Sequence, residues 1–270
     1  MAEINAYAVY KLVGDEKPLI HHITNWVTIY DCAQVTRTIG ALPVMAHAPE
    51  EVEQMAGISD ALVLNIGTLT RELIGSMVLA GKAANKKGIP VILDAVGAGA
   101  TKFRTDKTKE LLNFIRIDIV KGNAGELATI AGVKSQVRGV ESVSVSGDRT
   151  EIAKRVAKEN NCIAVITGKQ DIIADAGGKV YLVDNGHELM GKIVGTGCMA
   201  ASVIASFAAV ERDYAKASAA ALCCYGIAGE LAAKSAGNKG PGSFKQSLFD
   251  ELANLGEAKI KRMSRVKSSL

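Results

Sequence analysis

Short apolar runs alternate with longer amphipathic segments along most of the 270-residue chain. The runs "PLIHHI", "LPVMA", "ALVLNIG", "PVILDAV", "IDIVKGN" and "IAVITG" have strand length, and turn residues or a change of pattern bound them. Between them, apolar positions recur at helical spacing over residues 26–39, 49–57, 71–87, 107–114, 125–131 and 150–160. Such alternation with short links predicts a mostly parallel sheet covered by helices on both faces. The rhythm then changes. "DIIADAGGKVYLVDN" reads as a hairpin turning at Gly177-Gly178, and helices follow over 198–210, 214–233 and 243–262. No internal repeat and no linker interrupts the pattern, so residues 1–270 read as one α/β domain.

Composition narrows the class. With 48% hydrophobic and 22% charged residues the chain can build a sizeable core. Only 4% is aromatic, so that core is made of Ala, Val, Ile and Leu, which suits strands buried under helices. The net charge of +4 is spread among interspersed acids and bases, which argues against a nucleic-acid surface. The densest basic run, "KIKRMSRVKSSL", reads as a solvated, fraying helix end. Five cysteines without a CxxC, two of them adjacent, fit neither a disulfide framework nor a zinc site and point to a reducing cytosol. The charged N-terminus is not a signal peptide, and no apolar run is long enough to cross a bilayer. The expectation is a cytoplasmic protein with no membrane and no nucleic-acid partner.

Ligands of an open α/β sheet gather at the carboxyl ends of its strands. Here those ends carry "HHITN", "NIGTLT", "LDAVGAGAT", "VKGNAGE" and "ITGKQD", and the glycine hook "VGTGC" opens a helix. The first-turn amides behind Gly195 and Gly197 form an anion hole suited to a phosphoryl group in flight. A plain helix-capping turn is the structural alternative. Cys198 at that terminus is expected to have a lowered pKa, though packing alone also accounts for a small buried thiol. Asp94 and Glu126, on neighbouring strand ends, suit one Mg²⁺ held through water. Asn123 with Glu126 equally suits a capping box. Lys121, Thr167 and Gly168 are placed to meet nucleotide phosphates. Asn25, Met45 and Gly67 would line a small, mostly apolar pocket, with Asn25 also a candidate helix cap.

With "PLIHHITNWV", "PVMAHAPEEVEQMAGISDALVLNIGTL", "DAVGAGATKFR", "VKGNAGE" and "GTGCMAASV" in this order, the chain resembles the hydroxyethylthiazole kinases over nearly its whole length. The resemblance implies a three-layer α/β/α, ribokinase-like fold. It implies ATP-dependent phosphorylation of the primary hydroxyl of 4-methyl-5-(2-hydroxyethyl)thiazole in thiamine salvage. Cys198 matches the position facing the substrate hydroxyl. Asp94 and Glu126 match magnesium-side acids, Lys121 and Thr167 nucleotide contacts, and Met45 and Gly195 thiazole contacts. A homotrimer is implied as well. Lys121 stands where arginine is common, and Ala95 where a proline usually follows the aspartate. A hydroxymethylpyrimidine kinase, a non-catalytic binder of a thiamine precursor and a thiol-dependent acyl transferase are the rival readings.

Overall fold

The computed structural model describes residues 4–133, 135–138, 141–145 and 148–269. Six parallel strands form the frame: β1 (Leu19–Ile23), β2 (Leu42–Val44), β3 (Ala61–Asn65), β4 (Val91–Asp94), β5 (Ile119–Asn123) and, after an antiparallel pair β6 (Ser135–Arg138) and β7 (Glu141–Val145), β8 (Ile163–Thr167). Three antiparallel strands extend it: β9 (Asp171–Ala174), β10 (Val180–Val183) and β11 (Val266–Ser269). Among the described residues the sheet runs β11-β10-β9-β8-β5-β4-β3-β1-β2. The expected hairpin is β9–β10, and Gly178 at its turn has φ +93°.

The helices are α1 (Ala6–Glu16), α2 (Ile29–Thr38), α3 (Val52–Ile58), α4 (Arg71–Lys87), α5 (Lys102–Phe114), α6 (Ala124–Ile130), α7 (Arg149–Asn160), α8 (Thr196–Val210), α9 (Tyr214–Ala236), α10 (Pro241–Ala253) and α11 (Glu257–Met263). They lie in two layers. Helices α3 to α7 cover one face of the sheet, and α1, α2 and α8 to α11 cover the other. Strand alternation divides the core: in β4, Val91 and Leu93 join the first layer while Ile92 joins the second. Helices α8 and α9 are rich in Ala, so their backbones approach the sheet and each other closely.

Four expectations change, and one helix, α1, is added to those read from the sequence. Helix α1 interleaves charges with its apolar positions, yet Ala6, Val9 and Val13 are buried on one side and Asn5 caps it by accepting from the Ala8 amide. Helix α5 starts at Lys102, five residues before its apolar stretch, because Thr101 accepts the Arg104 amide at 3.2 Å. Helix α2 starts at Ile29 rather than Trp26, because Asn25 turns the chain through its side chain instead of opening a helix. The helix expected over 243–262 is two, α10 and α11, broken at Asn254 and Gly256. The basic tail does not fray: β11 pairs antiparallel with β10.

Candidate active site

The sheet brings β1, β3, β4 and β5 to one edge, and their last residues pack together. Asn25 follows β1 and turns the chain into α2. Its Oδ1 accepts the amides of Val27 and Thr28 at 3.1 and 3.0 Å and the Thr28 hydroxyl at 3.1 Å. With Oδ1 committed to donors, Nδ2 faces inward. It donates to Asn65 Oδ1 at 3.0 Å and to Cys198 Sγ at 3.4 Å. Asn65, the last residue of β3, accepts the Gly67 amide on the same oxygen and donates Nδ2 to Asp94 Oδ2 at 2.8 Å. Asp94, the last residue of β4, is fully buried, and its Oδ1 accepts from Lys121 Nζ at 2.9 Å. An oriented chain of amides therefore links the thiol to the carboxylate.

Burial pushes Asp94 up, against the pull of Lys121 and the Asn65 amide. Lys121 is buried in β5, not reaching in from the surface. Burial works against its ammonium, but Asp94, Cys198 and Glu126 overcome this and hold its pKa above the usual value. Glu126 forms the expected capping box. Asn123 Oδ1 accepts the Glu126 amide at 3.0 Å, and Glu126 Oε2 accepts the Asn123 amide at 2.6 Å. Its second oxygen takes the Gly97 amide at 2.7 Å. Burial, then the Asp94 charge, raises Glu126 to about 7.

The hook enters α8 through Gly195, whose φ is +95°. A Cβ there would lie 2.5 Å from Thr28 Cγ2, so the hook fits against α2 only as glycine. The first intrahelical bond runs from the Met199 amide to Gly195 O at 2.8 Å, leaving the amides of Thr196, Gly197 and Cys198 at the open end of the helix. A Cβ on Gly197 would lie 3.3 Å from Lys121 Nζ, so hook and ammonium face one space. The Cys198 pKa is raised, not lowered: burial and then the Asp94 charge outweigh Lys121 and the hydrogen bonds with Thr28 and Asn65. In the free protein the thiol keeps its proton.

Beyond the hook lies a cleft of about 710 Å³, with Thr167, Gly168 and Gly197 on one side and Leu222, Tyr225 and Gly226 of α9 on another. Gly168 donates its amide to Asp171 Oδ1 at 2.9 Å, which closes the turn after β8. Burial raises Asp171 to about 7. Met45 stands apart from the Cys198 cluster. It follows β2, and its carbonyl accepts from His47 Nδ1 at 3.2 Å, while His47 Nε2 accepts the Thr24 amide and the His47 ring rests on Trp26.

Three groups here were not singled out from the sequence. Asn65 was legible as a polar residue ending an apolar strand. Arg104 was not: from α5 it donates to Ile66 O, Gly67 O and Val96 O at 2.8 to 2.9 Å, tying the ends of β3 and β4 together. The α9 wall of the cleft was hidden in an Ala-rich helix. Among the described residues no cluster of three or more His, Cys, Asp or Glu gathers to hold a metal, and no helix is long and apolar enough to cross a membrane.

A model of the hydroxyethylthiazole kinase family matches residues 10–258. A hydroxyethylthiazole kinase of Methanosarcina mazei is 58% identical over 256 residues, 95% of this chain and 97% of its own. One from Thermoanaerobacter pseudethanolicus is 52% identical over 256 residues, with 95% and 97% covered. The solved hydroxyethylthiazole kinase of Pyrococcus horikoshii superposes with a TM-score of 0.88 at 38% identity, covering 98% of this chain and 99% of that one. A ribokinase-like superfamily protein from Enterococcus faecalis shares the fold at a TM-score of 0.63 and 14% identity, with 87% and 86% covered. The chain belongs to the hydroxyethylthiazole kinase family and has its ribokinase-like fold.

Proposed function

We propose that the protein transfers the γ-phosphoryl of ATP to the primary hydroxyl of 4-methyl-5-(2-hydroxyethyl)thiazole. The position of Cys198 carries this reading. Its sulfur sits in the first turn of α8, hydrogen-bonded to Asn25, with the Asp94–Lys121 pair beside it and the hook amides adjacent. An acceptor alcohol on the Asn25, Gly67 and Gly195 side and a triphosphate on the Thr167, Gly168 and Gly197 side would meet there. Met45 would reach the alcohol's ring only from outside the Cys198 cluster, through the His47 ring that rests on Trp26.

The chain's own groups then act as follows. The amides of Thr196 to Cys198 and the Lys121 ammonium stabilise charge on the moving phosphoryl group. Asn25 holds the sulfur by donating to it, so the thiol orients the alcohol. Asp94, within reach of the thiol, is the better-placed group to share the alcohol's proton late in transfer. A loose phosphoryl-transfer transition state needs little base assistance, which suits a protonated thiol.

The donor set fits Mg²⁺. Asp94 and Glu126 offer hard oxygens, and their mutual charge is one cause of the raised pKa of Glu126. All four carboxylate oxygens already accept from protein donors, so these residues suit a hydrated ion held through water. Such an ion, when bound, neutralises phosphate charge.

The assembly we propose is a homotrimer. Trp26, Val27, Tyr30 and Val194 are each more than half exposed beside the hook, an apolar patch continuous with the alcohol's side of the site. A phosphorylation assay offering the thiazole alcohol and the hydroxymethylpyrimidine alcohol side by side tests the activity. Phosphorylated thiazole is expected. ADP release with the pyrimidine alone, or with neither, overturns the reading.

A further inference from the structure

Among the described residues, the end of the chain does not line the cleft beyond the hook, but it holds a loop that does. The loop after β10, Asp184 to His187, lines this cleft together with Thr167 and Gly168. This loop is pinned from three directions. The buried Asn185 accepts the Arg265 amide on Oδ1 at 2.8 Å, and its Nδ2 donates to Met263 O at 2.9 Å and Glu230 Oε1 at 3.0 Å. The Gly186 amide donates to the same Glu230 oxygen at 2.9 Å. The Arg265 guanidinium grips both Glu230 oxygens, at 2.6 and 3.1 Å, and donates to Asp184 O at 2.8 Å. Gln170, in the turn after β8, donates to the Asp184 carboxylate at 2.6 Å, and Lys267 of β11 donates to it at 3.3 Å. On α9, Gly226 leaves no room for a Cβ, which would lie 2.6 Å from the Asn185 carbonyl.

We infer that Arg265 and Glu230 are positioning residues for the nucleotide: the residue leading into β11 and its partner on α9 set the wall on which ATP packs, without touching either reactant. This rests on the reading of the cleft as the nucleotide site. The reason is entropic. A loop whose backbone and side-chain groups are bonded in the free protein needs no ordering when the ligand arrives. The forked guanidinium matches a carboxylate in a way an ammonium cannot. The Arg265 side chain is 47% exposed and that of Glu230 16%, so truncating the arginine opens no core cavity and its loss falls first on the loop.

The test compares full-length wild type with Arg265→Ala, Arg265→Lys and Glu230→Gln. In Arg265→Ala the KM for ATP rises about tenfold, while kcat and the KM for the thiazole alcohol stay within about twofold. Arg265→Lys falls between, and Glu230→Gln combined with Arg265→Ala adds little to either alone. Hydrogen exchange with a non-hydrolysable ATP analogue separates the two layers of the argument. In wild type the analogue should slow exchange of the amides over residues 184–191. If it protects the protein elsewhere and leaves these amides unchanged, the nucleotide reading of the cleft fails, and the proposal with it. If it protects them and Arg265→Ala keeps a wild-type KM for ATP, the positioning role alone is overturned. A parallel fall of kcat, both affinities and the melting temperature also overturns it, since that marks a general structural loss.

Discussion

Cys198 is a hydrogen-bond hub in this site. It accepts from Asn25 and lies beside Asp94, whose charge and the surrounding burial keep its proton on. Serine can make the same bonds, so Cys198→Ser is expected to keep kcat within about a hundredfold of wild type, while Asp94→Ala, which strands the Lys121 ammonium, loses about a thousandfold or more. Steady-state phosphorylation rates check the order, and a dead Cys198→Ser with normal ATP binding contradicts it. Gly195→Ala meets Thr28 at 2.5 Å in a left-handed backbone conformation. It should destabilise the protein by about 1–3 kcal/mol in denaturant titration and weaken binding of the thiazole alcohol. Asp171 carries a pH signature. Its folded pKa is about 7 against 3.8 for the free side chain, so the native state binds the extra proton. That contribution is full below the free value, falls as pH rises from about 4 to 7, and is flat above; at most it amounts to about 4 kcal/mol. Asp171→Asn still accepts the Gly168 amide and should lack this slope when unfolding is measured at pH 5, 6, 7 and 8.

Local signals placed most elements well. Helix α4 spans the anticipated residues because its ends are encoded within a few positions: Thr70 accepts the Leu73 amide, and Gly88 closes the helix at φ +79°. Strand β4 was plain because a buried run ends in a charge. Helix α5 was read short because, of its residues, only Thr108 and Leu111 are buried, so its first turns carry no apolar stripe. Those first turns hold Arg104, which joins the ends of β3 and β4 through three carbonyls. Arg104→Ala should cost about 3 kcal/mol of stability and lower kcat as the Gly67 loop loosens. Arg104→Lys should recover little of either. Thermal melts and rates on the two variants decide this.

The whole chain closes on itself around the site. Helix α1 is fastened to the end of α10 through Tyr10, whose hydroxyl donates to Leu252 O across 242 residues. The tail completes the sheet as β11. The apolar patch of Trp26, Val27, Tyr30 and Val194 remains at the surface next to the hook. Tyr30→Asp and Val194→Asp should convert the proposed trimer to monomers in light scattering after size exclusion, with weaker binding of the thiazole alcohol. Unchanged mass in both variants would remove the patch from the interface.

Periodicity, caps and strand-end residues act over a few positions, so the parallel sheet, its covering helices and the polar edge at which Asp94, Lys121, Glu126 and Cys198 converge could be read directly along the chain. Family resemblance in the ordered motifs supplied the chemistry. The folded molecule settled what depends on distant partners: Asn25 meets Cys198 from 173 residues away, and Asn185 meets Arg265 from 80. It also set the protonation of the thiol. From the sequence, the helix terminus predicts a lowered thiol pKa, whereas burial and the Asp94 charge raise it, and no local spacing reports that neighbour.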